Sequence, residues 1–148
     1  MKILIDADSC PRAARDLVSR RAARLKLRLI FAANRPIPSM DGVEMEICPE
    51  KENSADDRVV EMAEKGDLAV TRDVPLAKRL IAKQAFVLDD RGREFTEDNI
   101  NELLSIRNFT VGLADNGLGI ERTANYGKKE LKTFADSLDR ILSRLAKT

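Results

Sequence analysis

The chain contains no histidine and no tryptophan, and aromatic residues make up only 4% of its 148 residues. Without histidine, the protein cannot use a Ser-His-Asp triad, a Cys-His pair, a histidine-bound zinc ion or an imidazole general base. Because aromatic residues are so few, the protein has few side chains on which nucleic-acid bases can stack. Acid–base and metal chemistry must therefore depend on aspartate, glutamate, lysine or water.

Cysteines and long apolar runs are also scarce. Cys10 and Cys48 are the only cysteines, too few for a disulfide scaffold or a four-cysteine zinc site. No apolar run approaches the roughly 20 residues that a membrane-spanning helix needs. The N-terminal sequence also lacks the pattern of a secretory signal peptide. We therefore expect a cytoplasmic protein with reduced thiols and no membrane association.

Charge and length narrow the choice of partner and architecture. The formal net charge is only +1, so any contact with RNA must come from a local basic patch. Hydrophobic residues form 43% of the chain, which suits a globular protein with a packed core. The length favours one domain spanning residues 1–148.

Strand-like and helix-like segments alternate along the chain. This alternation predicts a three-layer α/β/α sandwich with a mostly parallel five-stranded sheet. A Ser-x-x-Asp capping box favours a helix that starts at Ser54 and ends at Gly66. We expect a mobile loop over residues 118–127 and a C-terminal helix over 128–147, whose apolar stripe suits core packing or a dimer seam. The predicted strands cover residues 3–5, 27–33, 43–47, 68–71 and 85–88.

Aspartates recur where predicted strands end. Asp6 and Asp8 follow the first strand, and Asp73 follows the fourth. If these strands are neighbours, Asp6 and Asp73 meet where the strand order reverses, and Asp56 can approach the same edge from the next helix. An oxygen-only cluster suits Mg²⁺ or Mn²⁺ rather than zinc. Asp6, Asp56 and Asp73 are therefore the predicted metal ligands, with Asp8 as a further candidate.

Simpler structural roles compete with this interpretation. Asp73 can cap the helix that follows it, and Asp56 can favour a helix dipole without binding anything. Asp89 and Asp90 follow the fifth strand and also suit a turn, although Asp89 remains a possible metal ligand. Cys10 lies near aspartates at a helix start, which favours a structural or capping role over a nucleophilic one.

Basic side chains near the predicted strand ends provide candidate phosphate contacts. Arg91 follows the fifth strand, and Arg12 opens the first helix. Arg20 and Arg24 lie one helical turn apart, so their shared face is a second candidate for holding a phosphate backbone near the acidic edge of the sheet. An ordinary solvated helix surface is the alternative for that face.

Several segments resemble the YaiI/YqxD family of uncharacterised bacterial proteins, which is distantly similar to PIN-domain nucleases. The resemblance runs from Met1 to about Phe109. It implies a PIN-like α/β/α fold and acidic residues that bind Mg²⁺ or Mn²⁺ for phosphodiester hydrolysis. Family members often carry Asn at the position of Asp89, which weakens the case for that residue as a ligand. The segments are Asp6-Ala7-Asp8-Ser9-Cys10-Pro11, Ala33-Asn34, Ala55-Asp56, the run 66–77, and Arg91-Gly92-x-x-Phe95-Thr96.

The leading functional hypothesis is a metal-dependent phosphodiesterase, with RNA as the favoured substrate. Asp6, Asp56 and Asp73 would hold the metal, and Asp8 would assist directly or through water. The predicted contacts with the substrate phosphate are Arg91, Arg12 and Asn34.

Two other hypotheses stay open. A haloacid-dehalogenase-like phosphatase would use Asp6 as nucleophile and Asp8 as acid–base group, with Thr71 and Lys83 contacting the phosphate and residues 89–90 binding the metal. However, that fold inserts a turn and flap after its Asp-x-Asp, whereas Pro11 favours an immediate helix. The non-enzymatic alternative is a binding or regulatory module that keeps a PIN-like fold without turnover.

Overall fold

The computed structural model describes residues 1–51, 53–115 and 126–146. Strands and helices alternate through most of this range, as the apolar patterns predict. The predicted mobile loop falls largely on residues 118–125, which lie outside the described residues. The elements are β1 (Lys2–Asp6), α1 (Arg12–Leu25), β2 (Arg28–Ala33), β3 (Glu44–Ile47), α2 (Ser54–Met62), β4 (Leu68–Val70), α3 (Val74–Ala82), β5 (Phe86–Leu88), β6 (Glu94–Phe95), α4 (Ile100–Asp115) and α5 (Lys128–Ala146).

The sheet has six strands in the order β3-β2-β1-β4-β5-β6. The first five are parallel to their neighbours, and β6 pairs antiparallel with β5. The strand order reverses between β1 and β4, so the predicted neighbour relation of these strands is confirmed. The carboxyl ends of the five parallel strands therefore share one edge of the sheet, and ligands of such sheets bind near the reversal.

Helices cover both faces of the sheet. On one face, Ile3 and Ile5 of β1 pack in a core cluster with residues of α1 and α5, among them Phe134 and Leu138. On the other face, Leu4 joins a second cluster with residues of α2, α3 and α4. This alternation along β1 is the pattern of a strand buried on both faces. The predicted three-layer α/β/α sandwich is confirmed, and the apolar stripe of α5 belongs to its core.

The predicted number of strands was wrong by one. The β6 strand has only two residues, too few to show the period-two alternation that identifies a strand. It forms because the turn after β5 folds back and pairs Val87 with Phe95 and Leu88 with Glu94.

The α2 helix starts at Ser54 as predicted, but its capping and its end differ from the prediction. Ser54 does not cap this helix, because Asn53 precedes it with a φ of 63° and no side chain caps it. The helix ends at Met62, and Gly66 lies in the following turn with a φ of 88°. In the described ranges, no helix combines the length and the apolar character required to cross a bilayer.

Candidate active site at the strand reversal

The candidate site lies at the carboxyl edge of the sheet, between β1 and β4. The parallel register pairs Ile5 with Val70, so Asp6 and Thr71 follow side by side at this edge. The Thr71 hydroxyl donates a hydrogen bond to Oδ2 of Asp6 over 3.0 Å. The Ser9 hydroxyl donates to the same oxygen over 3.0 Å. Two hydroxyl groups therefore fix the orientation of the Asp6 carboxylate.

Asp6 is the most enclosed of the predicted ligands and is only 9% exposed. Burial raises its pKa above the usual range, because a charged carboxylate loses its hydration. Hydrogen bonds from Ser9 and Thr71 oppose this change, whereas the charges of Asp73 and Asp8 add to it. Asp6 is therefore a carboxylate held under electrostatic repulsion at the strand reversal.

Asp56 approaches the same edge from the first turn of α2. Burial and then the negative charges of Asp6 and Asp73 raise its pKa to about 6. Asp56 is therefore within electrostatic range of Asp6 and Asp73. Asp6 and Asp73 are linked through the Thr71 hydroxyl, which donates to Asp6 and accepts from the Asp73 N–H.

Asp73 has a structural role in addition to its place in this group. It is the N-cap of α3, and its Oδ1 accepts a hydrogen bond from the Leu76 N–H over 3.0 Å. Its own N–H donates to the Thr71 hydroxyl oxygen over 3.0 Å. The helix-capping interpretation is therefore correct. It leaves Oδ2 of Asp73 for another partner.

We call Asp6, Asp56 and Asp73 the acidic group. Their carboxylate oxygens without a hydrogen-bond partner are of the type that binds Mg²⁺ or Mn²⁺. Within the described ranges, no hydrogen bond reaches Oδ1 of Asp6, either carboxylate oxygen of Asp56 or Oδ2 of Asp73. In the same ranges, however, no three acidic or cysteine side chains are grouped closely enough to hold a metal ion as they stand. The donor types fit a divalent cation, whereas their present spacing does not form a binding site.

Asp8 lies beside the acidic group but has its own partners. Its Oδ2 accepts a hydrogen bond from the backbone N–H of Asn34 over 2.8 Å, and its Oδ1 lies 3.5 Å from Nε of Arg35. It borders an open groove of about 480 Å³ that also contains Asn34, Lys51 and Asn53. Asp8 therefore links the site to the end of β2.

Of the three predicted phosphate contacts, Arg12 and Arg91 have exposed side chains, whereas the Asn34 side chain is hydrogen-bonded within the protein. Arg12 is exposed at the start of α1, with Asp16 at 3.8 Å, and the Arg91 guanidinium lies 5.9 Å from the centre of the Tyr126 ring. Both lie at the carboxyl edge of the sheet. The Asn34 side chain, in contrast, donates to the Pro49 carbonyl over 2.8 Å and to the Ser54 hydroxyl over 2.9 Å.

The basic face formed by Arg20 and Arg24 lies far from the site. Along the axis of α1, Arg20 lies roughly 12 Å and Arg24 roughly 18 Å beyond Arg12. The helix runs back from the carboxyl edge, so this face is near the opposite edge of the sheet. The expectation that it lies beside the acidic group was wrong, because the sequence pattern gives spacing but not helix direction.

Asp89 faces its own turn rather than the acidic group. Its Oδ1 accepts backbone N–H bonds from Arg91 and Arg93 over 2.9 and 2.8 Å. Asp90 is more than a turn residue, because it is buried and forms an ion pair with Arg72. Its carbonyl oxygen also accepts a hydrogen bond from the Tyr126 hydroxyl over 2.5 Å.

Cys10 has the properties of a structural thiol. It is buried within the core cluster under α1, and Pro11, not Cys10, occupies the capping position. Burial and the nearby charge of Asp90 raise its pKa to about 12, so the nucleophilic thiolate is not populated at neutral pH.

Lys83 has no access to the acidic group. It lies at the C-terminal end of α3, whereas Asp73 caps the N-terminal end of the same helix. The helix therefore separates the two residues by roughly 14 Å. Its Nζ donates to the Val60 carbonyl over 2.5 Å.

Sequence analysis did not predict the hydrogen bonds of Ser9 and Thr71 to Asp6, and it named Thr71 only as a phosphate contact of the phosphatase hypothesis. The signal for Thr71 was available, because it directly follows the strand that pairs with β1. The signal for Ser9 is weaker, since it depends on the local turn that brings its hydroxyl back to Asp6. Both residues supply the hydrogen bonds that a buried carboxylate requires.

Comparison with known proteins agrees with the sequence motifs. The family model described as "Uncharacterized BCR, YaiI/YqxD family" matches residues 4–144. A UPF0178 protein of Treponema denticola is 48% identical over 147 residues, covering 99% of this chain and 95% of the relative. A UPF0178 protein of Pseudomonas entomophila is 44% identical over 149 residues, covering 99% of each chain. No solved structure matches the chain. The chain therefore belongs to the YaiI/YqxD family.

Proposed function

We propose that this protein is a Mg²⁺- or Mn²⁺-dependent phosphodiesterase with a PIN-like fold, acting on RNA. This proposal is supported by the position of Asp6 and Asp73 at the strand reversal, linked through the Thr71 hydroxyl, with Asp56 in electrostatic range of both. The charges of Asp6 and Asp73 raise the pKa of Asp56, and the charge of Asp73 raises that of Asp6, beyond the effect of burial, so these carboxylates are costly to keep charged together without a cation. A divalent cation would relieve that repulsion and use the oxygens that have no hydrogen-bond partner.

The residues of the acidic group would share the binding of the cation. Asp6 offers Oδ1 while its Oδ2 stays bound to two hydroxyl groups, so its orientation is fixed before binding. Asp73 offers Oδ2 while its Oδ1 caps α3. Asp56 has both oxygens available and would move by side-chain rotation to complete the site. When bound, Mg²⁺ or Mn²⁺ supplies a Lewis acid that polarises a phosphodiester and acidifies water.

Exposed cations at the same edge favour a phosphodiester substrate. Arg12, Arg35, Lys51 and Arg91 follow the carboxyl ends of β1, β2, β3 and β5, respectively. A chain of phosphates along this edge would contact these side chains while one phosphate lies at the carboxylates. These cations are the proposed local basic patch, in which Arg12 lies near Asp16 and Arg35 near Asp8.

The phosphatase hypothesis has weaker support. Its charge-stabilising lysine would be Lys83, which lies at the far end of α3. Its acid–base residue would be Asp8, which is held by Asn34 and Arg35. Residues 7–11 also connect β1 directly to α1, without a flap between them. The non-catalytic module uses the same geometry but requires no turnover.

Cleavage of an end-labelled single-stranded RNA in Mn²⁺ tests the proposal. We expect cleavage by the unaltered protein and a loss of about 100-fold or more in Asp6→Asn and Asp73→Asn. Asparagine keeps the cap at position 73 and the hydrogen-bond acceptor at position 6, so both variants should fold. Asp41→Asn is the matched control, because Asp41 is exposed and precedes β3 at the other edge of the sheet.

Three results would contradict the proposal. Equal cleavage by all variants would indicate a contaminating nuclease. Hydrolysis of a phosphomonoester without cleavage of RNA would favour the phosphatase. Binding of Mn²⁺ without any cleavage would favour the non-catalytic module.

A further inference from the structure

We infer that Asn34 is a positioning residue, which holds the start of α2 and the end of β2 together so that Asp56 faces Asp6. This inference rests on the proposed function for the importance of Asp56. It replaces the expectation that Asn34 binds the substrate phosphate.

The Asn34 amide has no donor left for a phosphate. Its Nδ2 carries two hydrogens, and it donates to the Pro49 carbonyl over 2.8 Å and to the Ser54 hydroxyl over 2.9 Å. The Ser54 hydroxyl in turn donates to the same Pro49 carbonyl over 2.5 Å. Asn34, Pro49 and Ser54 therefore form a closed hydrogen-bonded triangle, which we call the Asn34 triangle.

The Asn34 triangle attaches the first residue of α2 to the end of β2, in addition to the ion pairs of Arg58 with Glu46 and of Asp57 with Arg79. No side chain caps this helix, and Asn53 precedes it with a φ of 63°. The helix starts at Ser54, a member of the triangle, and Asp56 follows within the first turn. Asn34 itself is fixed to the strand end, because it directly follows β2. These hydrogen bonds therefore help to set the position of Asp56 relative to the end of β2, together with the burial of Ala55 and Val59.

Asn34 also holds the second acidic side chain of this edge. Its backbone N–H donates to Oδ2 of Asp8 over 2.8 Å. One residue thus connects Asp8, after β1, with the helix that carries Asp56. A substitution that removes only the side chain keeps the backbone bond and breaks the triangle, so the two connections can be separated.

Hydrogen exchange measured on Asn34→Ala tests the positioning role without any metal. We expect amides of the first turn of α2, including the Asp57 N–H that bonds to the Asn53 carbonyl over 2.8 Å, to exchange about tenfold faster. Amides in β1 and β4 should exchange as before. Asn108→Ala is the matched control, because Asn108 is exposed on α4. Ser54→Ala keeps the bond from Asn34 to Pro49 and should give a smaller change.

Mn²⁺ affinity then connects the triangle with the site. Asn34→Ala should weaken Mn²⁺ binding about tenfold in the unaltered background and should have no further effect when Asp56→Asn is already present. Unchanged exchange in α2, or equal losses of affinity in both backgrounds, would overturn the positioning role. If the unaltered protein binds no Mn²⁺, the proposed function fails, whereas the exchange measurement still decides the role of Asn34.

Discussion

The pKa of Asp56 depends first on its burial and then on the negative charges of Asp6 and Asp73. A folded-state pKa of about 6, above the usual value of 3.8, means that the folded protein binds this proton more tightly than the unfolded chain does. The contribution of Asp56 protonation to the free energy of unfolding is therefore fully present below pH 3.8 and is lost as the pH rises through about 6. Above that pH, the charged carboxylate opposes folding.

Asp56→Asn should therefore stabilise the metal-free protein at pH 8. We expect a gain of about 1 kcal/mol in the free energy of unfolding, a figure reduced for the solvent screening of a half-buried group. The gain should disappear below about pH 4, where the aspartate is protonated in both states. Urea denaturation over this pH range measures the effect. A gain that does not vary with pH, or an equal gain in Asp41→Asn, would contradict the electrostatic cause.

Individual side chains were predicted well where backbone position alone decides their location. Asp6 and Asp73 follow neighbouring strands, so pairing brings them to one edge whatever their rotamers are. Asn34 reaches the same edge, but its amide turns toward Pro49 and Ser54, and no sequence pattern specifies that direction. The structural role of Asp90 was also underestimated. Its ion pair with Arg72 joins two separate loops, and no sequence pattern specifies that contact.

The turn between β5 and β6 is fixed by its close contact with α5. Gly92 has a φ of 92°, and a Cβ added there would lie 2.8 Å from the Thr133 carbonyl oxygen and 2.8 Å from the Ser137 hydroxyl. The Gly92 carbonyl also accepts a hydrogen bond from that hydroxyl over 2.8 Å. This contact places Asp89 and Arg91 relative to the last helix.

Gly92→Ala should destabilise the protein by about 3 kcal/mol, because it combines an unfavourable φ with a steric clash against a helix backbone. Gly66→Ala is the matched control. Gly66 has a φ of 88°, but a Cβ there would have no neighbour within 4 Å, so we expect a cost of about 1 kcal/mol. Urea denaturation of both variants measures the difference. Equal costs would show that the contact with α5 does not hold the turn.

Helices and strands were predictable where long apolar patterns identify them. The C-terminal helix was expected over residues 128–147, and α5 covers Lys128–Ala146. The start of α2 at Ser54 was predicted correctly, but its capping was misjudged, because a capping box can be recognised from sequence whereas hydrogen bonds to a distant strand end cannot. The β6 strand exists only because the chain folds back on β5, and its two residues carry no local signal.

The strand order of the sheet creates the reversal at which the acidic group lies, and helices on both faces bury the two strands that flank it. Helices α1 and α5 on one face and α2, α3 and α4 on the other bury β1 and β4 completely, so the carboxyl ends of these strands are rigid supports. The sequence pattern was sufficient to predict this architecture and the convergence of Asp6 with Asp73. It could not give the separation of the carboxylates, which depends on rotamers and on mutual repulsion.

A crystal soaked in Mn²⁺, with diffraction data collected at the manganese absorption edge, tests most directly whether the acidic group binds a cation. We predict an anomalous peak at the strand reversal, within coordination distance of Asp6 and of Asp56 or Asp73, that disappears in Asp6→Asn. An Asp41→Asn crystal should keep the peak. A fully soaked crystal with no peak at this edge, or with a peak that survives in Asp6→Asn, would contradict the proposed site.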